Sequence, residues 1–292
     1  MPEPAAAPGL RASLPMYDLP ELRPFTDAWW MGVAMAAGRN GFAPVPLGLD
    51  RTDPPGAVWH RHDLLLSQCC GRDLVTHLSG RVAPVAIPCY RASGCSAGTY
   101  RSWIVARSRD SRRRLEDFRG GTAAVNCTGS HSGWVALGHT LARAGISGRF
   151  FARALRTGAH RASLQAVRDG RADLAAVDCV TFALLAAVAG GEVADLRIVV
   201  ESEPAPALPY VTSALRPVEQ RAHLCRALVQ AAADPELDIA QDALLIDGFL
   251  PVDGDPYARS TAMASAAAPA LQELAAVLEI RESAAVRSSR PA

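Results

Sequence analysis

Residues 157–178 combine hydrophobic positions at helical spacing with a short apolar run, T-G-A-H-R-A-S-L-Q-A-V-R-D-G-R-A-D-L-A-A-V-D. Leu164 and Val167 stand three positions apart, which is typical of one face of a helix. Ser163 can cap the start of that helix and Gly170 can end it. This part of the chain therefore predicts a loop, a short helix and a tight turn.

An apolar run at residues 172–177 follows the turn and predicts a short buried strand. The strand ends at Asp178, and the loop ahead of the helix contains His160. Polar side chains at the ends of rigid elements commonly line a ligand site. His160 can equally be structural, and Asp178 can equally cap the helix that follows it.

The same patterns predict an α/β protein, because strands and helices alternate along most of the chain and imply mostly parallel sheets. The predicted strands are residues 12–16, 45–49, 63–68, 82–89, 100–106, 121–126, 196–200 and 208–213. The predicted helices are residues 25–37, 73–78, a helix from about 134, 180–189, 218–232, 236–245 and 261–280.

Two segments predict crossings between lobes: the basic run R-S-R-D-S-R-R-R at 107–114 and the proline-rich E-P-A-P at 203–206. We therefore expect one discontinuous lobe formed by residues 10–106 and 205–282. Residues 107–204 would form an inserted second lobe, and residues 1–9 and 283–292 would be flexible tails.

The composition excludes several classes of function. With 49% hydrophobic and 20% charged residues and a net charge of +1, the 292-residue chain is globular, and nothing indicates nucleic acid or an anionic membrane as a partner. All 30 basic residues are arginine. A chain without lysine has no Walker A lysine, no pyridoxal Schiff base and no lysine nucleophile.

Seven cysteines, an odd number, occur without a C-x-x-C motif, which argues against a disulfide framework and a ribbon-type zinc site. We expect no cofactor and no metal. The N-terminus has neither the basic nor the apolar region of a signal peptide, and the longest apolar run, residues 179–189, is shorter than the roughly 20 residues that span a bilayer. As it stands, the sequence predicts a cytoplasmic protein without membrane insertion.

The segment T-G-S-H-S-G at residues 128–133 lies between a predicted strand and a predicted helix. Hydroxyl groups and small residues at a helix start suit an anion, because the first N–H groups have no partner within the helix and the helix dipole is positive there. The alternative is an ordinary N-cap by Ser130 or Ser132. We interpret the segment as an oxyanion site.

Two other motifs are weaker indications of catalytic chemistry. G-C-S-A-G at residues 94–98 matches the nucleophile elbow G-x-S-x-G, but a strand rather than a helix is predicted after it. Cys69 and Cys70 form a pair that would need a nearby cation to become reactive, and Arg72 is the nearest one in sequence.

With these motifs in order, the chain resembles the substrate-binding proteins of phosphate, phosphite and phosphonate ABC transporters. The resemblance is carried by L-P-M-Y-D-L-P-E-L-R near the start, L-L-L-S-Q-C-C-G (64–71), Y-R-S-W-I-V-A-R (100–107), A-V-N-C-T-G-S-H-S-G (124–133), T-G-A-H-R-A-S (157–163), G-R-A-D-L-A-A-V-D-C-V (170–180) and L-L-I-D-G-F (244–249). Relatives often have an aromatic residue where this chain has Arg72.

The resemblance implies a type II periplasmic-binding fold, in which two α/β lobes with mostly parallel sheets enclose a ligand cleft. In the first lobe it implies that Tyr17 faces the ligand, with the Gln68 turn beside it. In the second lobe the ligand residues it implies are Ser130, His131, Ser132, His160 and Asp178, the last of which would bind an amine on the ligand.

The resulting expectation is a monomeric solute-binding protein, not an enzyme, that captures a small oxyanion and delivers it to an ABC permease. One alternative is a cytosolic ligand sensor. Another is an enzyme on the same fold, either thiol-dependent or similar to enzymes of pyrimidine-precursor synthesis, although the lack of lysine argues against the latter.

Overall fold

The computed structural model describes residues 9–53 and 55–279. The strands, in chain order, are β1 (Arg11–Ser13), β2 (Leu64–Gln68), β3 (Val82–Tyr90), β4 (Thr99–Tyr100), β5 (Ser102–Arg107), β6 (Thr122–Val125), β7 (Arg153–Arg156), β8 (Leu174–Asp178), β9 (Leu196–Glu201), β10 (Ala205–Pro206), β11 (Tyr210–Ser213), β12 (Ile246–Pro251) and β13 (Leu278–Glu279). The helices are α1 (Arg23–Arg39), α2 (Pro55–Val58), α3 (Gly71–Val75), α4 (Ala136–Arg143), α5 (His160–Arg168), α6 (Cys179–Val188), α7 (Val218–Ala232), α8 (Asp238–Leu244) and α9 (Ala258–Ala276).

The described chain divides into two compact units. The first contains residues 9–101, 179–189 and 204–262, except for residue 54, and the second contains residues 102–178, 190–203 and 263–279. Residues 102–106, 179–189, 204 and 263–279 are thus grouped differently from the expected lobes. The lobe boundaries near 106 and 205 stay a prediction, and the predicted tails, except for Gly9, lie outside the described residues.

The first unit contains a five-stranded sheet with the order β1-β2-β11-β3-β12. β1 and β2 are parallel, whereas β11 is antiparallel to both β2 and β3, and β12 is antiparallel to β3. The expectation of a mostly parallel sheet is therefore wrong for this unit. The reason is that β11 enters between β2 and β3 in the opposite direction, and the helical connection through α7 and α8 brings β12 back in the same direction as β11.

The second unit contains a six-stranded sheet with the order β13-β7-β6-β8-β5-β9. The four strands β13, β7, β6 and β8 are parallel to one another, and β5 pairs antiparallel with both β8 and β9. Helices α4 and α5 follow β6 and β7, as βαβ connections require. This sheet agrees with the predicted parallel arrangement.

Each unit has its own hydrophobic core. The core of the first unit includes Val58, Trp59, Leu64, Leu74, Leu78, Val82, Val211 and Tyr257. In the second unit, the strands β6 and β8 and the inner faces of α4 and α5 are buried, with Leu137, Leu164 and Val177 at most 1% exposed. No helix in residues 9–53 and 55–279 is both long and apolar enough to cross a membrane.

Several predicted element boundaries differ from the structure. The expected strand at residues 45–49 does not form, because Pro44 and Pro46 have no N–H group to donate to a neighbouring strand. The predicted helix from about residue 134 begins earlier, with a π-helical turn at His131–Val135 that continues into α4. The last predicted helix ends at Ala276, and β13 follows it.

Replacing Leu66, which is 1% exposed on β2, by alanine should destabilise the protein by about 2–5 kcal/mol, because the substitution removes buried methyl groups and leaves a cavity. Leu215, which is 72% exposed, gives the matched control, and Leu215→Ala should change the free energy of unfolding by less than about 0.5 kcal/mol. Urea denaturation measures both values. Equal losses in the two variants would contradict the burial described for β2.

Candidate functional site

Three neighbouring parallel strands of the second unit end at one edge of its sheet. The order β7-β6-β8 brings the segment after β6, the start of α5 after β7 and the end of β8 to that edge. Gly158 N donates to Asn126 O over 2.9 Å, which ties the first two segments together. Ligands in parallel α/β sheets bind at this carboxyl edge.

Ser130 caps the helix that starts after β6. Gly133 N donates to Ser130 Oγ over 3.0 Å, and the hydroxyl oxygens of Ser130 and Ser132 are 3.3 Å apart. Both serines are 6% exposed. The cap interpretation of Ser130 is therefore correct, but a hydroxyl that accepts one hydrogen bond still has a proton to donate. The helix start thus combines two neighbouring hydroxyl groups with the positive end of a helix dipole.

His160 joins this cluster from the next helix. Its Nε2 lies 2.8 Å from Ser132 Oγ. Burial lowers the pKa of His160 to about 4 from its ordinary value of 6.5. The imidazole is therefore neutral at pH 7, and a neutral ring can donate or accept at Nε2 depending on its tautomer.

The position of His160 corrects the sequence prediction for the start of α5. His160 is the first residue of α5 rather than part of a loop ahead of it, and Ala159 rather than Ser163 is the N-cap. Ser163 Oγ lies 2.6 Å from Thr157 Oγ1 and donates to Ala159 O. These two hydroxyl groups therefore hold the turn that places His160.

Asn126 and Gly133 also lie at the site, and the sequence analysis did not identify them. A Cβ atom on Gly133 would lie 2.0 Å from Asn126 Oδ1 and 3.4 Å from His160 Cε1. The backbone of the helix start thus packs directly against both side chains. One feature of the sequence could have identified Asn126: it is a polar residue at the end of a predicted buried strand, where ligand sites often lie.

His131 and Asp178 are the other predicted residues of this unit. Both are 2% exposed. His131 lies between Ser130 and Ser132 in the first helical turn, and Asp178 ends β8, where it is the register partner of Ser102 on β5. The structure therefore brings together Ser130, Ser132 and His160 by direct contacts and places Asp178 at the same sheet edge.

Tyr17 and Gln68 belong to the first unit and lie in an aromatic pocket. Gln68 Nε2 donates to Tyr90 OH over 2.9 Å and to Leu208 O over 3.0 Å, and Tyr17 packs edge-on against Tyr90 with ring centroids 5.4 Å apart. The pocket has a volume of about 20 Å³, which is enough for about one water molecule. The amide nitrogen of Gln68 thus serves this unit's own packing.

The structure gives little support to a reactive cysteine at Cys69 or to a nucleophilic serine in the G-C-S-A-G segment. Burial raises the pKa of Cys69 well above its usual value, and the charge of Asp73 adds to the effect, so the thiolate is disfavoured. The G-C-S-A-G segment is followed by β4, not by a helix. In the part of the chain that the structure describes, no group of His, Cys, Asp and Glu side chains is arranged to hold a metal ion.

Gly133→Ala should disrupt the site, because the new methyl group must displace the Asn126 side chain. We expect a loss of about 1–3 kcal/mol in the free energy of unfolding, as for other overpacked positions. Gly38→Ala is the matched control, since nothing lies within 4 Å of the Cβ position of Gly38 in α1, and alanine should there be neutral or stabilising by up to about 1 kcal/mol. Equal stability of the two variants would contradict the close packing described at Gly133.

His160 should make stability depend on pH. With a pKa near 4 in the folded protein and 6.5 as its ordinary value, the unfolded chain binds more protons between these two values. The stabilisation that the neutral His160 side chain provides is therefore fully present above pH 6.5 and is lost as the pH falls towards 4. The melting temperature of His160→Gln should fall less steeply over this window than that of the wild type, and His62→Gln, at an exposed position, should follow the wild type. Parallel curves for all three proteins would contradict a lowered pKa of His160 in the folded protein.

Comparison with known proteins assigns the chain to a family. The model for phosphonate ABC transporter periplasmic substrate-binding proteins matches residues 76–257, more than half of the chain. No curated protein matches the sequence.

Solved structures show the same fold at low sequence identity. A binding protein component of an ABC phosphonate transporter from Pseudomonas aeruginosa is 15% identical with a TM-score of 0.69, over 92% of this chain and 94% of its own. PhnD1 from Prochlorococcus marinus in complex with methylphosphonate is 13% identical with a TM-score of 0.69, over 88% and 97%. XAC2383 from Xanthomonas citri bound to chloride ion is 17% identical with a TM-score of 0.66, over 90% and 98%.

These similarities confirm the predicted type II periplasmic-binding-protein-like α/β fold and the predicted family. A position of the ligand between two lobes and the seven predicted site residues stay predictions. The chain belongs to the periplasmic substrate-binding proteins of phosphonate ABC transporters, a family of solute-binding proteins.

Proposed function

We propose that this solute-binding protein captures a small oxyanion of the phosphonate or phosphate type at the helix start that follows β6. The observation that supports the proposal most is the linked cluster of Ser130, Ser132 and His160, with oxygen–oxygen and oxygen–nitrogen distances of 3.3 and 2.8 Å. It lies at the carboxyl edge of the parallel strands, where the dipole of a helix favours an anion.

The binding chemistry would consist of hydrogen bonds from neutral groups. With the Nε2–H tautomer of His160, the imidazole donates to Ser132 Oγ and leaves the Ser132 proton for a ligand oxygen. Ser130 Oγ accepts from Gly133 N, and a ligand oxygen would take a hydroxyl proton in place of the 3.3 Å contact between Ser130 and Ser132. Donation to an anionic oxygen gives stronger bonds than donation to a neutral one.

Asp178 would add a preference for positive charge to a site that otherwise favours an anion. A carboxylate at the same sheet edge would repel an additional negative charge and attract a positive one. We propose that it favours ligands that carry an amine beside the oxyanion. His131, Tyr17 and Gln68 are further candidate contacts that the family resemblance implies.

The proposed biological role is the ligand-binding component of an ABC-type uptake system, with a permease as partner and a monomeric state. The family is a family of transport proteins, which supports binding without catalysis. The raised pKa of Cys69 argues against the thiol-dependent enzyme, because a protonated, buried thiol is a poor nucleophile. A periplasmic location, as the family description states, is proposed here in place of the cytoplasmic one predicted from the N-terminus.

The double variant Ser130→Ala with Ser132→Ala should lose the thermal stabilisation that a small oxyanion provides. A differential scanning fluorimetry series would use methylphosphonate, inorganic phosphate and an aminoalkylphosphonate. The wild type should gain several degrees in melting temperature with at least one of them, because a ligand at 100 times its dissociation constant stabilises by about 2.7 kcal/mol.

The control is Ser111→Ala with Ser147→Ala, two exposed serines of the same unit, which should respond to the ligand as the wild type does. Circular dichroism and the melting temperature without ligand show whether the site variant is folded. A folded double variant that retains the full ligand response would refute the site assignment.

A further inference from the structure

The first unit contains a pair of cysteines that the proposed function does not use. Cys95 lies in the loop between β3 and β4, and Cys179 is the first residue of α6. They are 84 positions apart in the sequence, yet their Sγ atoms are 3.6 Å apart. We infer that Cys95 and Cys179 are a site of reversible disulfide formation.

The distance between the two sulfur atoms favours this bond. A disulfide requires the sulfur atoms to come about 1.5 Å closer, to the standard bond length of about 2.05 Å. The backbone on both sides is already held in place, because Cys179 N donates to Arg101 O over 3.0 Å and Cys95 N donates to Ala92 O over 3.1 Å. We infer that changes in side-chain torsion angles supply the approach.

The accessibility of the two thiols sets the order of the reaction. Cys95 is partly exposed, whereas Cys179 is buried. A small-molecule disulfide would react first with the Cys95 thiolate, forming a mixed disulfide and releasing one thiolate. The Cys179 thiolate would then attack the Cys95 sulfur and release the second thiolate. The protein loses two electrons and two protons, and the small disulfide is reduced to two thiols.

Two things give the bond a role in a protein of this family: the compartment in which the family works and the place of the bond in the chain. Disulfides persist in oxidising compartments such as the periplasm and are reduced in the cytoplasm. The chain passes from the second unit to the first between Asp178 and Cys179. The disulfide would therefore fix the chain directly after Asp178 to the loop at Cys95 and constrain the unfolded state over a long loop.

The absence of lysine makes the test unambiguous, because trypsin then cleaves only after arginine. Cys95 falls in the peptide of residues 92–101 and Cys179 in the peptide of residues 172–197, and neither peptide contains another cysteine. The purified wild type would be incubated with oxidised glutathione, alkylated with iodoacetamide, digested and analysed by mass spectrometry without reduction. We expect these two peptides to be linked, and dithiothreitol to separate them.

Cys225→Ser is the matched control and should retain the link, whereas Cys95→Ser should lose it. Oxidation should also raise the melting temperature of the wild type by several degrees but not that of Cys95→Ser. Because the main measurement uses the wild type and no solute ligand, its result is independent of the proposed oxyanion site. Complete alkylation of both thiols after oxidation, or a link of either cysteine to another peptide, would overturn the inference.

Discussion

The hydrogen bond between Ser132 and His160 is the interaction on which the candidate site depends. Its two atoms are 2.8 Å apart and belong to helices that follow two adjacent parallel strands. Without it, the helix start after β6 would be an ordinary capped terminus with Ser130 as its N-cap. With it, a second helix contributes a polar group to the same place, and a neutral imidazole orients the Ser132 hydroxyl.

The close packing around this bond constrains the site chemically. Gly133 leaves no room for a side chain beside Asn126 and His160, and burial holds the imidazole in its neutral form. The site as described by Ser130, Ser132 and His160 therefore offers hydrogen-bond donors rather than a full positive charge. An anion bound in this way gains its stability from oriented dipoles, which require rigid placement, and the turn held by Thr157 and Ser163 provides that placement.

The sequence predicted the α/β class, the mostly parallel sheet that the second unit shows and an N-cap at Ser130 or Ser132, because periodicity and capping are visible in short stretches of sequence. It did not predict the antiparallel entry of β11 between β2 and β3, which depends on a distant part of the chain. The sequence analysis assigned the N-cap of α5 to Ser163, because the residue type alone does not distinguish a serine inside the first helical turn from a serine at the N-cap. It also missed Asn126 and Gly133, whose roles arise only from contacts across the fold.

The central claim is that an oxyanion binds at Ser130 and Ser132, and a crystal structure of the wild type with methylphosphonate tests it most directly. We expect phosphonate oxygens within hydrogen-bond distance, about 2.5–3.0 Å, of the hydroxyl groups of both serines. We also expect Ser132 to retain its contact with His160 Nε2. A methylphosphonate bound elsewhere, with both hydroxyl groups still bonded only to protein atoms, would contradict an oxyanion site at these serines.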